Sequence, residues 1–141
     1  KMLFVTRNKN EREGYIYLTW PSKKIFQHRV VFPNERFKTL ILFAVKTKMD
    51  KSVDRENDRS FIVSGDIHQA NRQIREAINN SLNTDKIFKK TDELFANTGT
   101  GKYKLKIEPS QILIDIPALK DLSGLKQILN ELDSSGSEDP N

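Results

Sequence analysis

The chain has 141 residues, a net charge of +5 and no cysteine. This length can bury a core without covalent staples, and the missing cysteine removes disulfides, thiolate nucleophiles and Cys-ligated metal sites together. No stretch approaches the ~18 apolar residues of a membrane span, and no basic start runs into an apolar stretch that would read as a signal peptide.

The first half reads as strands. Met2–Thr6 is a short apolar run, and residues 8–13 form a polar turn ending at Gly14. Residues 15–20 alternate, with Ile16, Leu18 and Trp20 on one face and Tyr15, Tyr17 and Thr19 on the other. Ile25–Phe32 follows, with Phe26, Val30 and Phe32 expected to share a face. After a turn at Pro33, the unbroken apolar run inside 37–47 reads as the strongest strand, central and covered on both sides. Residues 49–60 carry both signs of charge without periodicity and read as a mobile hairpin loop, with a short strand at 61–63.

The middle switches to helical spacing. Asp66 or Ser64 caps a helix in which Ile67, Ala70, Ile74, Ile78 and Leu82 recur at steps of three or four, opposite Gln69, Arg72, Arg75 and Glu76. A second helix is expected over 85–97, burying Ile87, Phe88, Leu94 and Phe95 and ended by 98–101.

The last third reads as a hairpin and a helix. Residues 102–107 alternate, with Lys102, Lys104 and Lys106 on one face and Tyr103, Leu105 and Ile107 on the other. A turn at 108–110 leads to a return strand over 111–116. Pro117 suits a helix start, and Leu122, Leu125, Leu129 and Leu132 then recur at helical spacing, widened by Leu119 and Ile128. Gly124 weakens that helix by ~1 kcal/mol relative to Ala.

The expected fold class is therefore α+β. It is a largely antiparallel twisted sheet of about seven strands, five of them N-terminal, covered by two or three helices in the order five strands, two helices, two strands, one helix. Residues 1–133 form a single domain and 134–141 a disordered acidic tail. A strand meander under a covering helix occurs in pleckstrin-homology-like domains and in several single-strand-binding sheets, an analogy of fold with little functional weight. Lys1 precedes Met2, so either Met2 is the natural start or the chain is a piece of a longer protein.

No motif marks an enzyme. The stretch 96–103 imitates a phosphate-binding loop, but Ala96 stands for its first Gly and Tyr103 for its last hydroxyl. It also leads into a strand rather than a helix. His28 and His68 are far apart in sequence, and the pair Asp66 and His68 has a spacing that does not share a helix face. No acid-x-Lys triplet occurs, nor a G-x-S-x-G nucleophile turn. Neither a catalytic residue, a metal site nor a cofactor is expected.

Charge points to a binding module instead. Residues 1–110 hold 22 of the 24 Lys and Arg and 13 of the 19 acids, for +9; residues 111–141 hold two Lys and six acids, for −4. A basic body attracts polyanionic or acidic partners. The first expectation is a non-enzymatic, intracellular module of a larger assembly that binds single-stranded DNA or RNA. Tyr15 and Tyr17 would stack on bases, while Lys23, Lys24, Arg29, Lys102, Lys104 and Lys106 would contact phosphates. The alternative is a protein-interaction adaptor that uses the same basic face for an acidic peptide or a partner subunit, for instance by strand addition. Acid-flanked Ser134, Ser135 and Ser137 are candidate phosphorylation sites, and the tail could compete with an anionic ligand for the basic face.

Overall fold

The computed structural model describes residues 1–8, 11–62, 65–83, 87–122 and 124–137. The chain is a mixed α+β protein whose strands divide between a four-stranded and a three-stranded sheet, rather than forming one continuous sheet. Strands β1 (Met2–Thr6), β2 (Gly14–Trp20) and β3 (Ile25–Phe32) make an antiparallel meander. Their alternation follows the sequence: Leu3, Val5, Ile16, Leu18, Val30 and Phe32 are buried on one face, and Tyr15 and Tyr17 lie half-exposed on the other. Phe26 departs from this. The register of β3 on β2 shifts between Leu18 and Trp20, and the irregularity turns Phe26 outward, leaving it 75 % exposed.

The run expected as a central strand is helix α1 (Asn34–Lys48). Its apolar residues are continuous because the helix is buried nearly all round: Phe37 and every residue from Thr39 to Val45 are shielded. A helix hydrophobic on all sides carries no 3.6-residue signature, so period alone cannot separate it from a buried strand. Length does, since fifteen residues exceed the usual strand of about 5–6. α1 lies between the sheets, touching strands of both as well as two other helices. Its C-terminal Lys48 donates through Nζ to the carbonyl of Ile112 at 2.6 Å, and Thr47 Oγ1 accepts from the backbone N–H of Leu105 at 3.0 Å.

The stretch 49–60, expected as a mobile loop, is tied down. Strand β4 (Val53–Asp54) pairs with residues 102–103, and Asp58 accepts from the Asp54 N–H at 2.9 Å. Phe61, expected in a strand, closes a 3₁₀ turn at Arg59–Phe61; Val63 lies outside the described residues. Helix α2 (Ile67–Ser81) matches the sequence reading, with Ile67, Ala70, Ile74 and Ile78 buried. Asp66 caps it, its Oδ1 accepting from the N–H groups of His68 at 3.0 Å and Gln69 at 3.3 Å.

The helix expected over 85–97 does not form. The described part contains one helical turn, α3 (Thr91–Leu94), followed by strand β5 (Phe95–Gly99). Phe88 is kept out of a helical ladder because Asn79 clasps its backbone: Nδ2 donates to the Phe88 carbonyl at 3.3 Å and Oδ1 accepts from its N–H at 3.0 Å. Of the four apolar positions expected inside, Phe88, Leu94 and Phe95 are buried and Ile87 is half-buried against the core. Phe88 meets Trp20 edge-on at 5.1 Å, and Phe95 meets Phe43 at 4.9 Å.

β5 turns back into β6 (Lys102–Leu105) through Gly101, which has φ +68°, and the second sheet runs β4-β6-β5. The expected hairpin of 102–107 with 111–116 is therefore absent. Strand β7 (Ile112–Ile114) instead crosses to the first sheet and lies parallel to β1, in the order β3-β2-β1-β7. The final helix is broken in two, α4 (Ile116–Leu119) and α5 (Lys126–Ser137). Gly124 sits between them at φ +85°, yet Leu119, Leu122, Leu125, Ile128, Leu129 and Leu132 are all buried as their spacing implied. Of the expected tail, 134–137 fall within α5 and 138–141 lie outside the described residues. No helix is long and apolar enough to cross a membrane among the described residues.

Candidate nucleic-acid interface

The four-stranded sheet has one face on the core and one open. Cross-strand register places Tyr17 opposite both Phe4 and Arg29, Tyr15 opposite Val31, and Phe4 beside Leu113. Directly paired residues share a face. The rings of Phe4 and Tyr17 stack at 5.9 Å, and the Arg29 guanidinium stands 5.2 Å over the Tyr15 ring. The Tyr15 hydroxyl donates to the Glu11 carboxylate, a bond that raises the phenol above its usual pKa. Beside them a shallow groove of about 540 Å³ is lined by Met2, Phe4, Thr6, Tyr17, Thr19, Gln27 and Leu113, none of them charged.

The candidate site residues thus separate. Tyr15, Tyr17 and Arg29 come together on the open face. Lys102 and Lys104 are on the other sheet and Lys106 just past the end of β6; Lys104 reaches Asp50 at 3.5 Å, while Tyr103, Leu105 and Ile107 are buried as expected. Lys23 is tied to the Glu93 carboxylate, which its hydrogen bond holds below the usual carboxylate range. Lys24 is exposed and ends a 3₁₀ turn in the left-handed region at φ 59°. His28 donates from Nε2 to the Ser81 carbonyl at 3.0 Å, so it anchors α2 to β3.

A second surface gathers around α2. Its inner stripe docks on the core, which fixes its rotation and turns His68, Arg72, Glu76 and Asn80 to solvent, with Gln69 and Gln73 half-exposed beside them. At its start, a cleft of about 690 Å³ is lined by Arg55, Glu56, Arg59, Gly65, Asp66, Ile67 and His68. The turn carrying Arg55 is set by Asp54, whose carboxylate accepts from the N–H groups of Glu56 at 2.9 Å and Asn57 at 3.4 Å. The Glu56 bond is the main reason its pKa lies below the ordinary value. On the other side stands the β5–β6 hairpin: His68 meets the Tyr103 ring edge-on at 5.7 Å, and the Arg55 N–H donates to the Gly101 carbonyl at 2.9 Å. The hairpin tip, from Asn97 to Thr100, is exposed, as is Lys102.

Sequence reasoning recognised α2 as a core-packing helix and as one of several surfaces that could receive a peptide, but not as a nucleic-acid surface, because its apolar stripe is the stronger signal. The phosphate-loop look-alike at 96–103 is this hairpin, strand to strand. Arg55 and Arg59 were missed because the surrounding stretch has no periodicity. Among the described residues, no three His, Asp or Glu side chains gather so as to hold a metal ion. No family model, curated protein or solved structure matches the chain.

Proposed function

We propose that this protein is a non-enzymatic nucleic-acid-binding module, and that its ligand is duplex DNA engaged by α2 and the β5–β6 hairpin. The order α1, β4, the 3₁₀ turn at Arg59–Phe61, α2, the single turn α3 and the hairpin, with strand order β4-β6-β5, resembles the layout of a winged helix-turn-helix whose first paired helix is shortened. This is an analogy of topology, and the surface itself must carry the argument. The carrying observation is the α2 face: a polar row held outward by a buried stripe, with Arg55 and Arg59 at its start and the hairpin beside it. A helix about 10–12 Å across enters a major groove about 12 Å wide, while flanking cations and the exposed hairpin meet the backbone.

This reading moves the ligand from single strand to duplex. Stacking on Tyr15 and Tyr17 needs a phosphate path beside the rings, and the lysines expected to supply it belong largely to other surfaces or to ion pairs. Fluorescence anisotropy with labelled duplex DNA, single-stranded DNA and single-stranded RNA, at 50 and 200 mM salt, tests the choice. The expected result is tightest binding to duplex, weakening steeply with salt. The double variant Arg55→Ala/Arg59→Ala should weaken it, and Tyr17→Ala should leave it unchanged. Preference for single strands, lost with Tyr17→Ala, would restore the stacking reading.

The second reading, a protein-interaction surface, is favoured by the open sheet face, where Met2, Val31 and Leu113 are exposed beside Phe4 and Tyr17. Four strands about 4.8 Å apart and some five residues long give a footprint of roughly 300 Å². Two such faces fall short of the ~1,000 Å² expected of a stable dimer, so the fitting occupant is one amphipathic helix of a partner subunit. Its test is whether Leu113→Glu abolishes a stoichiometric complex with that subunit.

A further inference from the structure

Resting on the duplex-DNA reading of α2, we infer that this helix reads sequence and that Arg72 is the residue that recognises a guanine in the major groove. The first argument is the chemistry of the face. Sixteen of the 24 cationic residues in the chain are Lys, yet α2 contains none; both its cations are Arg, and Gln69, Gln73 and Asn80 stand on its outward side, while Asn71 and Asn79 are buried. A merely solvated face on a Lys-rich protein would carry Lys and Glu. Guanidinium and amide groups are planar, with paired donors and acceptors that match base edges; an ammonium is a point charge suited to phosphates.

The second argument is position. Arg72 lies inside the exposed row, one turn after His68 and one turn before Glu76. At ~1.5 Å per residue, the His68–Glu76 part of that row spans ~12 Å, against a base-pair rise of ~3.4 Å, so this part faces three to four base pairs with Arg72 at its centre. Arg72 approaches the Glu76 carboxylate through Nε, 3.8 Å from Oε1, and not through its two terminal nitrogens. Those nitrogens form the fork that pairs with guanine O6 and N7. The row cannot roll, because Asp66 caps the helix start and His68 rests on Tyr103.

The test is selection from a randomised duplex library, followed by competition anisotropy. The wild-type chain should enrich a short motif with an invariant G·C pair, and replacing that pair with A·T should weaken binding about 10- to 100-fold. Arg72→Ala should lose discrimination at that pair alone, and Arg72→Lys, which lacks the fork, should not restore it. Lys126→Ala on α5 serves as a charge-matched control that keeps the motif. Circular dichroism melts check that the variants fold, as the 59 % exposure of the Arg72 side chain implies. Duplex binding without any enriched motif would overturn this inference and leave the duplex reading standing. The same motif selected by Arg72→Ala would remove Arg72 as its reader. No binding to any duplex at 50 mM salt would overturn both.

Discussion

The ring of Phe37 occupies the space a side chain at Gly14 would need: a Cβ built on Gly14 falls 1.9 Å from Phe37 Cε2. The two residues lie at the start of β2 and in the first turn of α1, so this contact sets how closely α1 approaches the four-stranded sheet. Gly14→Ala should therefore act as overpacking, destabilising by about 1–3 kcal/mol and lowering the thermal midpoint by several degrees. Phe37→Leu in the same chain should recover part of that loss, and a double-mutant cycle of thermal melts checks the coupling.

Asn71 makes the opposite case. It is fully buried on α2, and neither its Nδ2 nor its Oδ1 has a hydrogen-bond partner. A buried unpaired amide costs about 1–3 kcal/mol. Asn71→Leu, close in volume, should raise stability by about 1–2 kcal/mol in denaturant titrations. A fall in stability would mean that an ordered water satisfies the amide.

Glu93 should make an acid-sensitive contribution. Its carboxylate accepts from Lys23 and from the N–H groups of Lys89 at 3.0 Å and Lys90 at 3.1 Å, which keeps its pKa below the ordinary carboxylate value. A depressed folded pKa favours folding above the unfolded value and loses that advantage as pH falls through the folded one. Stability should therefore decline below about pH 4.5, and Glu93→Gln should flatten this limb at a cost of about 1 kcal/mol or less near neutrality. Melts from pH 3 to 7 measure it.

Asp66 links stability to the proposed interface. Asp66→Ala removes the cap of α2 and should cost about 1 kcal/mol, whereas Asp66→Asn keeps an accepting oxygen and most of the stability. Because the cap fixes the first turn, Asp66→Ala should also weaken duplex binding. Thermal melts and anisotropy on the same samples test both effects.

How far the residues speak for themselves varies along the chain. The alternation in 15–20 and the capped stripe of 67–82 carry their own period, and both elements form where the pattern puts them. The Leu stripe of 119–132 buried the right residues although the helix breaks near Gly124, because burial is set by the side chains and continuity by the backbone. The candidate site was legible only in parts. Tyr15, Tyr17 and Arg29 meet because strand register follows alternation, but no local pattern reports that Lys102 and Lys104 belong to a different sheet.

By itself, the sequence determined the composition of the core, the mixed α+β class and the amphipathic α2, since these depend on the local period of apolar residues. The tertiary structure alone decided the rest. A run apolar on every side became a helix once two sheets closed over α1. Residues 95–99 became a strand because Lys102–Leu105 lay alongside, and Ile112–Ile114 joined β1 across more than a hundred residues. Strand pairing is settled by hydrogen-bonding partners distant in sequence, and a one-dimensional pattern does not name those partners.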